Sequence, residues 1–343
     1  MGIINGSATI TRYKIEGDLP PGFKDFIDER IRRFAFRDIE EGTEELAVGW
    51  TSAHDMLDTD FAFASYALDP FIMLGMRVDR RKVSAAALTK YTRIETAKVR
   101  DLREGRKPAR AERLEIKERV RLVLLRGTRP ASKLFEVCWD TARGEVWFGN
   151  ASQANLDLFT DLFRRSFDLG LKPLEQPHPA DEPLPGQEFL TWLWYLSEEA
   201  DAPEMTKGHG VEVMLGDRLV LAPPPGQEGS QVTVKDSEGD LAEAREALRQ
   251  GKRVECLRLG LSVDGEEFWL TLRASGLGAS ALRMPPAAGQ EDGPEGQVLE
   301  RVALLQEVLG SLDRLFANFQ ALRQKDDGAA LSQSLEAWFQ RED

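Results

Sequence analysis

The sequence predicts an α+β fold in which antiparallel sheets pack with helices. Strand-like segments occur in adjacent pairs, as in the hairpins predicted at 134–149 and 253–274, where two apolar runs flank a polar turn. Segments with helical spacing of apolar residues separate groups of strands and do not follow every strand. The chain therefore lacks the regular strand–helix alternation of a parallel sheet.

The first half of the chain mixes both element types. The run ATITRYK at 8–14 predicts a strand, and the spacing of Phe23, Phe26, Ile27, Ile31 and Phe34 predicts a helix at 22–35. Further strands are predicted at 46–51, 61–66 and 70–78. Further helices are predicted at 83–104, 109–126 and 153–169.

The segment 172–187, which holds five prolines, is the best domain boundary in the sequence. Beyond it the pattern predicts an aromatic helix at 188–198, strands at 211–215, 218–222 and 231–235, a helix at 240–250, and a long helix at 295–323. The first two of these strands are predicted to join at Gly216-Asp217, and the hairpin at 253–274 to turn at Asp264-Gly265. Residues 325–333 are rich in small and polar side chains, which is typical of a mobile segment.

These elements predict four regions. They are an N-terminal α+β domain at 1–76 and 134–175, a basic helical hairpin at 77–133 that is inserted in this domain and projects from it, a C-terminal α+β domain at 186–323, and a tail at 324–343.

The charge of the chain is segregated. The chain carries 45 Lys and Arg against 58 Asp and Glu, a formal net charge of −13. Between Arg77 and Lys133 the balance reverses, with 19 basic against 7 acidic residues, so that this stretch carries +12 and the rest of the chain −25. One region with a positive field, on a protein that would otherwise repel polyanions, predicts a polyanionic partner and above all nucleic acid.

The candidate DNA-binding residues lie on the two predicted helices of this stretch. Arg113, Lys117 and Arg121 are spaced at i, i+4 and i+8, so they form one row. On the first helix and at the bend the candidates are Lys90, Arg93, Lys98, Arg100, Arg103, Arg106, Lys107 and Arg110, and Arg126 ends the second helix. No aromatic residue occurs between Tyr91 and Phe135, so binding to the DNA backbone without sequence preference fits better than base readout or stacking.

The sequence shows no catalytic constellation. The three histidines are isolated, and no zinc spacing, phosphate-binding loop or nucleophile elbow is present. Asp55, Asp58 and Asp60 could hold a divalent ion for a nuclease, but a polar loop between strands has the same composition. We therefore predict no catalytic residues, no metal and no cofactor.

Cys138 and Cys256 are the two cysteines, and both lie in apolar runs, so we expect buried free thiols and no disulfide framework. No apolar run reaches the roughly 18–20 residues of a membrane span. The N-terminus lacks the pattern of a secretory signal. We expect a cytoplasmic protein.

The order of segments resembles the RdgC family of bacterial recombination-associated proteins. The resemblance rests on a first strand with Tyr13, a strand that ends at Gly49-Trp50, and the basic helix pair that ends in IKERVRLVLL at 116–125. It continues with Phe135-x-x-x-Trp139-Asp140, the run FLTWLW at 189–194 and the long C-terminal helix, and so covers about residues 8–323.

The resemblance implies sequence-nonspecific binding of double-stranded DNA by a ring-shaped homodimer that encircles the duplex. It also implies a nucleoid-associated role in recombination or replication, in which the protein limits strand exchange by a RecA-type recombinase through competition for DNA. By the same resemblance Lys235 falls near a basic position of the family's C-terminal lobe.

Two other readings stay open. The first is a metal-dependent DNA exonuclease that uses Asp55, Asp58 or Asp60. The second is a protein-interaction scaffold, in which the basic helices are either solvated or bound to an acidic partner. Glutamates such as Glu95, Glu112, Glu115 and Glu118 can form ordinary ion pairs on these helices, and such pairs contribute only about 0–1 kcal/mol.

Overall fold

The computed structural model describes residues 2–62, 65–174, 185–199, 210–224, 227–235, 241–274, 278–286 and 293–341. It confirms the α+β class. Contacts divide the chain into two compact units. We call them the helix-pair unit, Glu16–Val137 with Leu156–Leu171, and the sheet unit, Met1–Ile15 with Cys138–Asn155 and Lys172–Asp343.

This division does not follow the boundaries drawn from the sequence. The first strand, β1 (Ala8–Glu16), pairs antiparallel with β12 (Ala279–Arg283), so most of it belongs with the C-terminal half of the chain. The helix pair is grouped with the elements on either side of it. Whether that pair projects from its unit stays a prediction.

The helix-pair unit has a small antiparallel sheet. β2 (Leu46–Ser52) pairs with β4 (Phe71–Arg80), from Leu46 opposite Arg80 to Ser52 opposite Leu74. The short strand β3 (Ala67–Leu68) also pairs with β4. On the other side of β4 lies β5 (Ala131–Asp140), which continues into the sheet unit.

Two helices bury apolar residues in this unit. α1 (Phe23–Arg33) buries Ile27 and Ile31. α4 (Gln153–Phe167) brings Phe159 and Phe167 within 6.4 and 5.8 Å of the buried ring of Trp50, measured between centroids. The indole N–H of Trp50 donates to Oγ of Ser166 at 2.8 Å, which satisfies a buried polar group.

The sheet unit contains a larger sheet with the strand order β6-β1-β12-β11-β10-β8-β9. The bounds of its remaining strands are β6 (Glu145–Phe148), β7 (Gly170–Pro173), β8 (Val211–Ala222), β9 (Val232–Val234), β10 (Arg253–Val263) and β11 (Glu266–Arg273). β7 pairs with β1. β10 and β11 form the predicted hairpin, and Asp264 and Gly265 turn it with φ of 50° and 90°.

The helices of this unit supply an aromatic core. They are α5 (Pro185–Glu198), α6 (Ala242–Arg249), α7 (Gly293–Gln324) and α8 (Ala329–Phe339). The ring of Phe189 on α5 lies 5.1 Å from that of Phe316 and 5.5 Å from that of Phe319, both on α7. Cys138 and Cys256 are buried and free, as predicted. No helix within the described ranges is both long and apolar enough to cross a membrane.

Three sequence-based predictions are wrong. The segment 61–66 is no strand at its described residues, because Oδ1 of Asp58 accepts the N–H groups of Asp60 and Phe61 and curls the chain into a loop. Residues 63 and 64 lie outside the described residues. Gly216-Asp217 is not a turn: β8 runs through it, and a register shift in its pairing with β10 absorbs the extra residues.

The third correction concerns the C-terminal tail. After α7 a 3₁₀-helix at Lys325–Gly328 leads into α8, whereas we predicted a mobile segment at 325–333. Trp338 on α8 is 1% exposed, and its ring lies 4.9 Å from that of Trp194 on α5. The tail is therefore part of the core of the sheet unit.

Candidate nucleic-acid interface

Two helices occupy the basic stretch. α2 (Ala85–Asp101) begins with three alanines, which favour helix formation, and α3 (Arg110–Arg126) contacts it. No residue of α2 is buried, whereas α3 buries Ile116, Val120 and Leu125. α3 therefore contributes the buried apolar side chains of the pair.

The cations of α2 lie on two sides. At 100° per residue, Lys90, Arg93 and Arg100 share one side of the helix. Lys98 lies on another side, with Tyr91, Ile94 and Leu102, and its Nζ contacts Oε1 of Glu95 at 2.6 Å. This contact, followed by the charges of Lys98 and Arg119, lowers the pKa of Glu95. Lys98 is therefore separated around the helix from Arg93 and Arg100.

Glu112 fixes the connection between the two helices. Its carboxylate accepts two hydrogen bonds from the guanidinium of Arg103, with N–O distances of 2.7 and 2.9 Å. It also accepts the N–H of Ala109 at 2.8 Å, at the start of α3. These contacts, the one with Arg103 first, lower the pKa of Glu112. Arg103 therefore holds the backbone of the bend in addition to adding charge.

α3 carries a row of cations along one side. Arg110, Arg113, Lys117 and Arg121 are spaced by three, four and four residues, and the first three are exposed. Arg121 is half-buried and pairs with Glu45 at 2.6 Å and with Glu118 at 3.1 Å. The row predicted from the sequence is present, with Arg110 in addition and with Arg121 partly neutralised.

Two cations of the basic stretch are structural. Arg77 donates to both carboxylate oxygens of the fully buried Asp79, at 2.8 and 2.9 Å, and its guanidinium lies 4.1 Å from the ring centroid of Phe36. Arg81, 3% exposed, donates to the carbonyl oxygens of Ile39, Glu40 and Gly42. Both guanidinium groups bind other groups of the protein. The net charge of the basic stretch is therefore larger than the charge that is exposed to a partner.

The predicted site residues fall into two sets. All are exposed except the half-buried Arg121. Those with an ion pair to a carboxylate are Lys98, Arg100, Arg103 and Arg121. Those for which the described part of the chain shows no ion pair are Lys90, Arg93, Arg106, Lys107, Arg110, Arg113, Lys117, Arg126 and Lys235. Lys235 follows β9 in the sheet unit, and the others belong to the helix-pair unit.

Five exposed cations of the same stretch were absent from the predicted set. They are Arg80, Lys82, Arg119, Arg129 and Lys133, and Arg80 is the last residue of β4. Lys82, Arg129 and Lys133 lie on the segments that enter and leave the helix pair, and Arg119 lies near Glu95 of α2. All of them belong to the basic stretch at 77–133, and this is the sequence signal that could have added them to the predicted DNA-binding residues.

Two of the three aspartates considered for a metal site, Asp55 and Asp58, accept hydrogen bonds from the backbone of their own loop. Oδ1 of Asp55 accepts the N–H of Leu57, and Asp58 caps the loop as described above. Among the described residues no group of three or more His, Cys, Asp or Glu side chains could hold a metal ion. His54 is exposed, and His178 and His209 lie outside the described residues.

A comparison with protein-family models identifies the chain. The model described as "Putative exonuclease, RdgC" matches residues 9–271, which is more than half of the sequence. The chain belongs to the RdgC family. RdgC membership makes it a recombination-associated protein, and the description leaves nuclease activity open. No curated protein matches the chain.

The RdgC match includes the whole helix pair and ends within β11. β12 and the helices α7 and α8 lie beyond it. The predicted membership of this family is confirmed, while the assignment of single residues to DNA binding stays a prediction.

Proposed function

We propose that this RdgC protein binds double-stranded DNA without sequence preference, through the phosphate backbone, and that the basic side of α2 and α3 is the contact surface. The observation that carries this proposal is the set of exposed cations on the helix pair that form no ion pair with any carboxylate in the described part of the chain. Eight of the predicted residues there belong to this set: Lys90, Arg93, Arg106, Lys107, Arg110, Arg113, Lys117 and Arg126.

Unpaired, exposed cations are the groups from which phosphate binding gains most. Each phosphate contact releases condensed counterions, so affinity grows with the number of contacts and falls steeply with salt. A cation already held by a carboxylate must give up that contact first. Arg113 and Lys117 are therefore better phosphate ligands than Arg121, which Glu45 and Glu118 already hold.

The side chains available on the pair support binding without base readout. Lysine and arginine contact phosphates at any sequence, whereas recognition of single strands commonly uses aromatic stacking. The pair has Tyr91 as its one aromatic residue. Preference for a duplex over RNA or a single strand is an inference from the family.

We further propose that the protein acts as a ring-like homodimer, associated with the nucleoid in the cytoplasm, and limits strand exchange by a RecA-type recombinase through competition for DNA. A ring needs no strong local contact, because topology retains it on the duplex while many weak phosphate contacts let it slide. The acidic remainder of the chain, at −25, would discourage other contacts with DNA.

A salt titration of duplex binding tests the proposal. With about six phosphate contacts, affinity should fall roughly a thousandfold between 50 and 200 mM salt. If an electrophoretic mobility-shift assay at 50 mM salt shows no complex with duplex DNA, DNA binding is refuted. The protein-interaction scaffold would then be the better hypothesis.

A topological assay tests the ring separately. After loading at low salt and a high-salt wash, a ring should remain on a closed circular duplex and leave a linear one through its ends. Blocking both ends of the linear duplex with bulky adducts should restore retention. Equal loss from all three substrates would exclude encirclement without excluding DNA binding.

A further inference from the structure

We propose that Leu102 is a wedge residue, which enters a base step of the bound duplex and gives the protein a preference for DNA with weakened stacking. This inference rests on the proposed function and adds a substrate class to it. Leu102 follows α2 and is 86% exposed, more than any other large apolar side chain in the described ranges.

A single exposed leucine is ordinary on a protein surface. Leu102 differs because of where it stands. Arg106 and Lys107, both exposed and without an ion pair in the described part of the chain, lie on the same short connection. Arg100 and Arg103 flank Leu102 and are also exposed, and they already pair with Asp101 and Glu112. An apolar side chain amid cations matches the arrangement of DNA-bending proteins, in which charges hold the phosphates while an apolar wedge parts two base pairs.

The backbone that carries Leu102 is held by hydrogen bonds. The N–H of Leu102 donates to the carbonyl of Lys98 at 3.1 Å, and the N–H of Gly105 donates to that of Arg100 at 3.0 Å. Glu104 and Gly105 adopt φ of 53° and 88°, which closes the end of α2 in a tight turn. The contacts of Glu112 with Arg103 and Ala109 then fix the remainder of the connection.

This fixed backbone matters for insertion. A wedge must resist the stacking energy of the step that it opens, and a side chain on a loose loop would fold back. Leu102 is presented on a turn whose position is set before DNA arrives. The charge around it selects a polyanion as the occupant, so a duplex step fits this surface better than an uncharged apolar partner.

The experiment compares a fully paired duplex with one that carries a central mismatch, both with 2-aminopurine next to the step. The wild-type protein should raise the 2-aminopurine fluorescence and prefer the mismatched duplex by roughly tenfold, since unstacking a mismatched step costs less. Leu102→Ala should lose both effects and keep the salt dependence of binding. Leu102→Met should keep both.

Leu114→Ala is the matched control, because Leu114 on α3 is also an exposed leucine, at 61%. It should behave as wild type. The wedge is refuted if wild type binds the duplex without preference or fluorescence change, if Leu102→Ala retains both, or if Leu102→Ala changes only the association state measured by sedimentation. Failure of wild type to bind either duplex at low salt would instead refute the proposed function.

Discussion

Nη2 of Arg121 lies 2.6 Å from Oε1 of Glu45, a contact between α3 and the residue that precedes β2. Both side chains are partly exposed, at 36% and 45%, so the pair itself contributes about 0–1 kcal/mol to stability. Its larger effect is on binding. The pair partly neutralises Arg121, which lies in the same row on α3 as Arg110, Arg113 and Lys117.

Glu45→Gln should therefore tighten duplex binding. The substitution removes one of the two carboxylates that hold Arg121, which makes this cation more available to a phosphate and the slope of log K against log salt steeper by up to about 0.9. Fluorescence anisotropy with a labelled duplex over a salt series measures both quantities. Glu44→Gln is the control, because the exposed Glu44 has the same charge and shows no ion pair among the described residues. Equal effects of the two variants would mean that only net charge matters.

The row on α3 should account for several phosphate contacts. The triple variant Arg110→Ala, Arg113→Ala and Lys117→Ala should weaken binding and reduce the salt slope by about 2.7, or 0.9 for each lost contact. The control triple is Lys24→Ala, Arg164→Ala and Arg165→Ala, because these exposed cations of the same unit already pair with aspartates. Similar losses in both triples would show that the row has no special part in binding.

Trp338 should be needed for the stability of the sheet unit. Besides its contact with Trp194, its indole N–H donates to Oε2 of Glu198 at 2.9 Å. Trp338→Ala should lower the free energy of unfolding by about 3–5 kcal/mol. Urea denaturation followed by circular dichroism measures this loss. Gln333→Ala, at an exposed position of α8, should have little effect, and an equally stable Trp338→Ala would contradict the buried placement.

The protein should not degrade DNA. A linear duplex labelled at one end, incubated with Mg²⁺ or Mn²⁺, should keep its length over time, because the carboxylates of Asp55 and Asp58 already accept backbone N–H groups of their own loop. Gel electrophoresis under denaturing conditions measures this. Time-dependent shortening that disappears in Asp58→Asn, a variant that keeps the loop's acceptor oxygen, would support the exonuclease reading instead.

Local sequence signals predicted much of this fold. Asp264-Gly265 identified the β10–β11 hairpin, because the two residues adopt the positive φ angles that its tight turn needs. The same rule wrongly predicted a turn at Gly216-Asp217, where β8 is continuous. There the glycine is required for space, since a Cβ at Gly216 would come within 2.5 Å of the Arg258 side chain on β10. Only the cross-strand neighbour reveals this.

In the candidate site, too, local sequence signals did not reveal contacts between residues that are distant in the chain. The spacing of Arg113, Lys117 and Arg121 predicted their common row, because helix geometry depends on local sequence. The neutralisation of Arg121 by Glu45 depends on two residues that are distant in the chain. The burial of Arg77 and Arg81 likewise depends on the segment at 36–42, which lies outside the basic stretch at 77–133.

The pairing of Ala8 with Leu282 has a consequence for synthesis of the protein. A ribosome produces β12 long after β1, so one edge of β1 lacks its partner until the segments between them have emerged. Contacts between such distant residues form slowly, and an open strand edge can pair with other chains meanwhile. The helix-pair unit, whose residues end at Leu171, can fold during that interval. Completion of the sheet is thus expected to be the late event in the maturation of this protein.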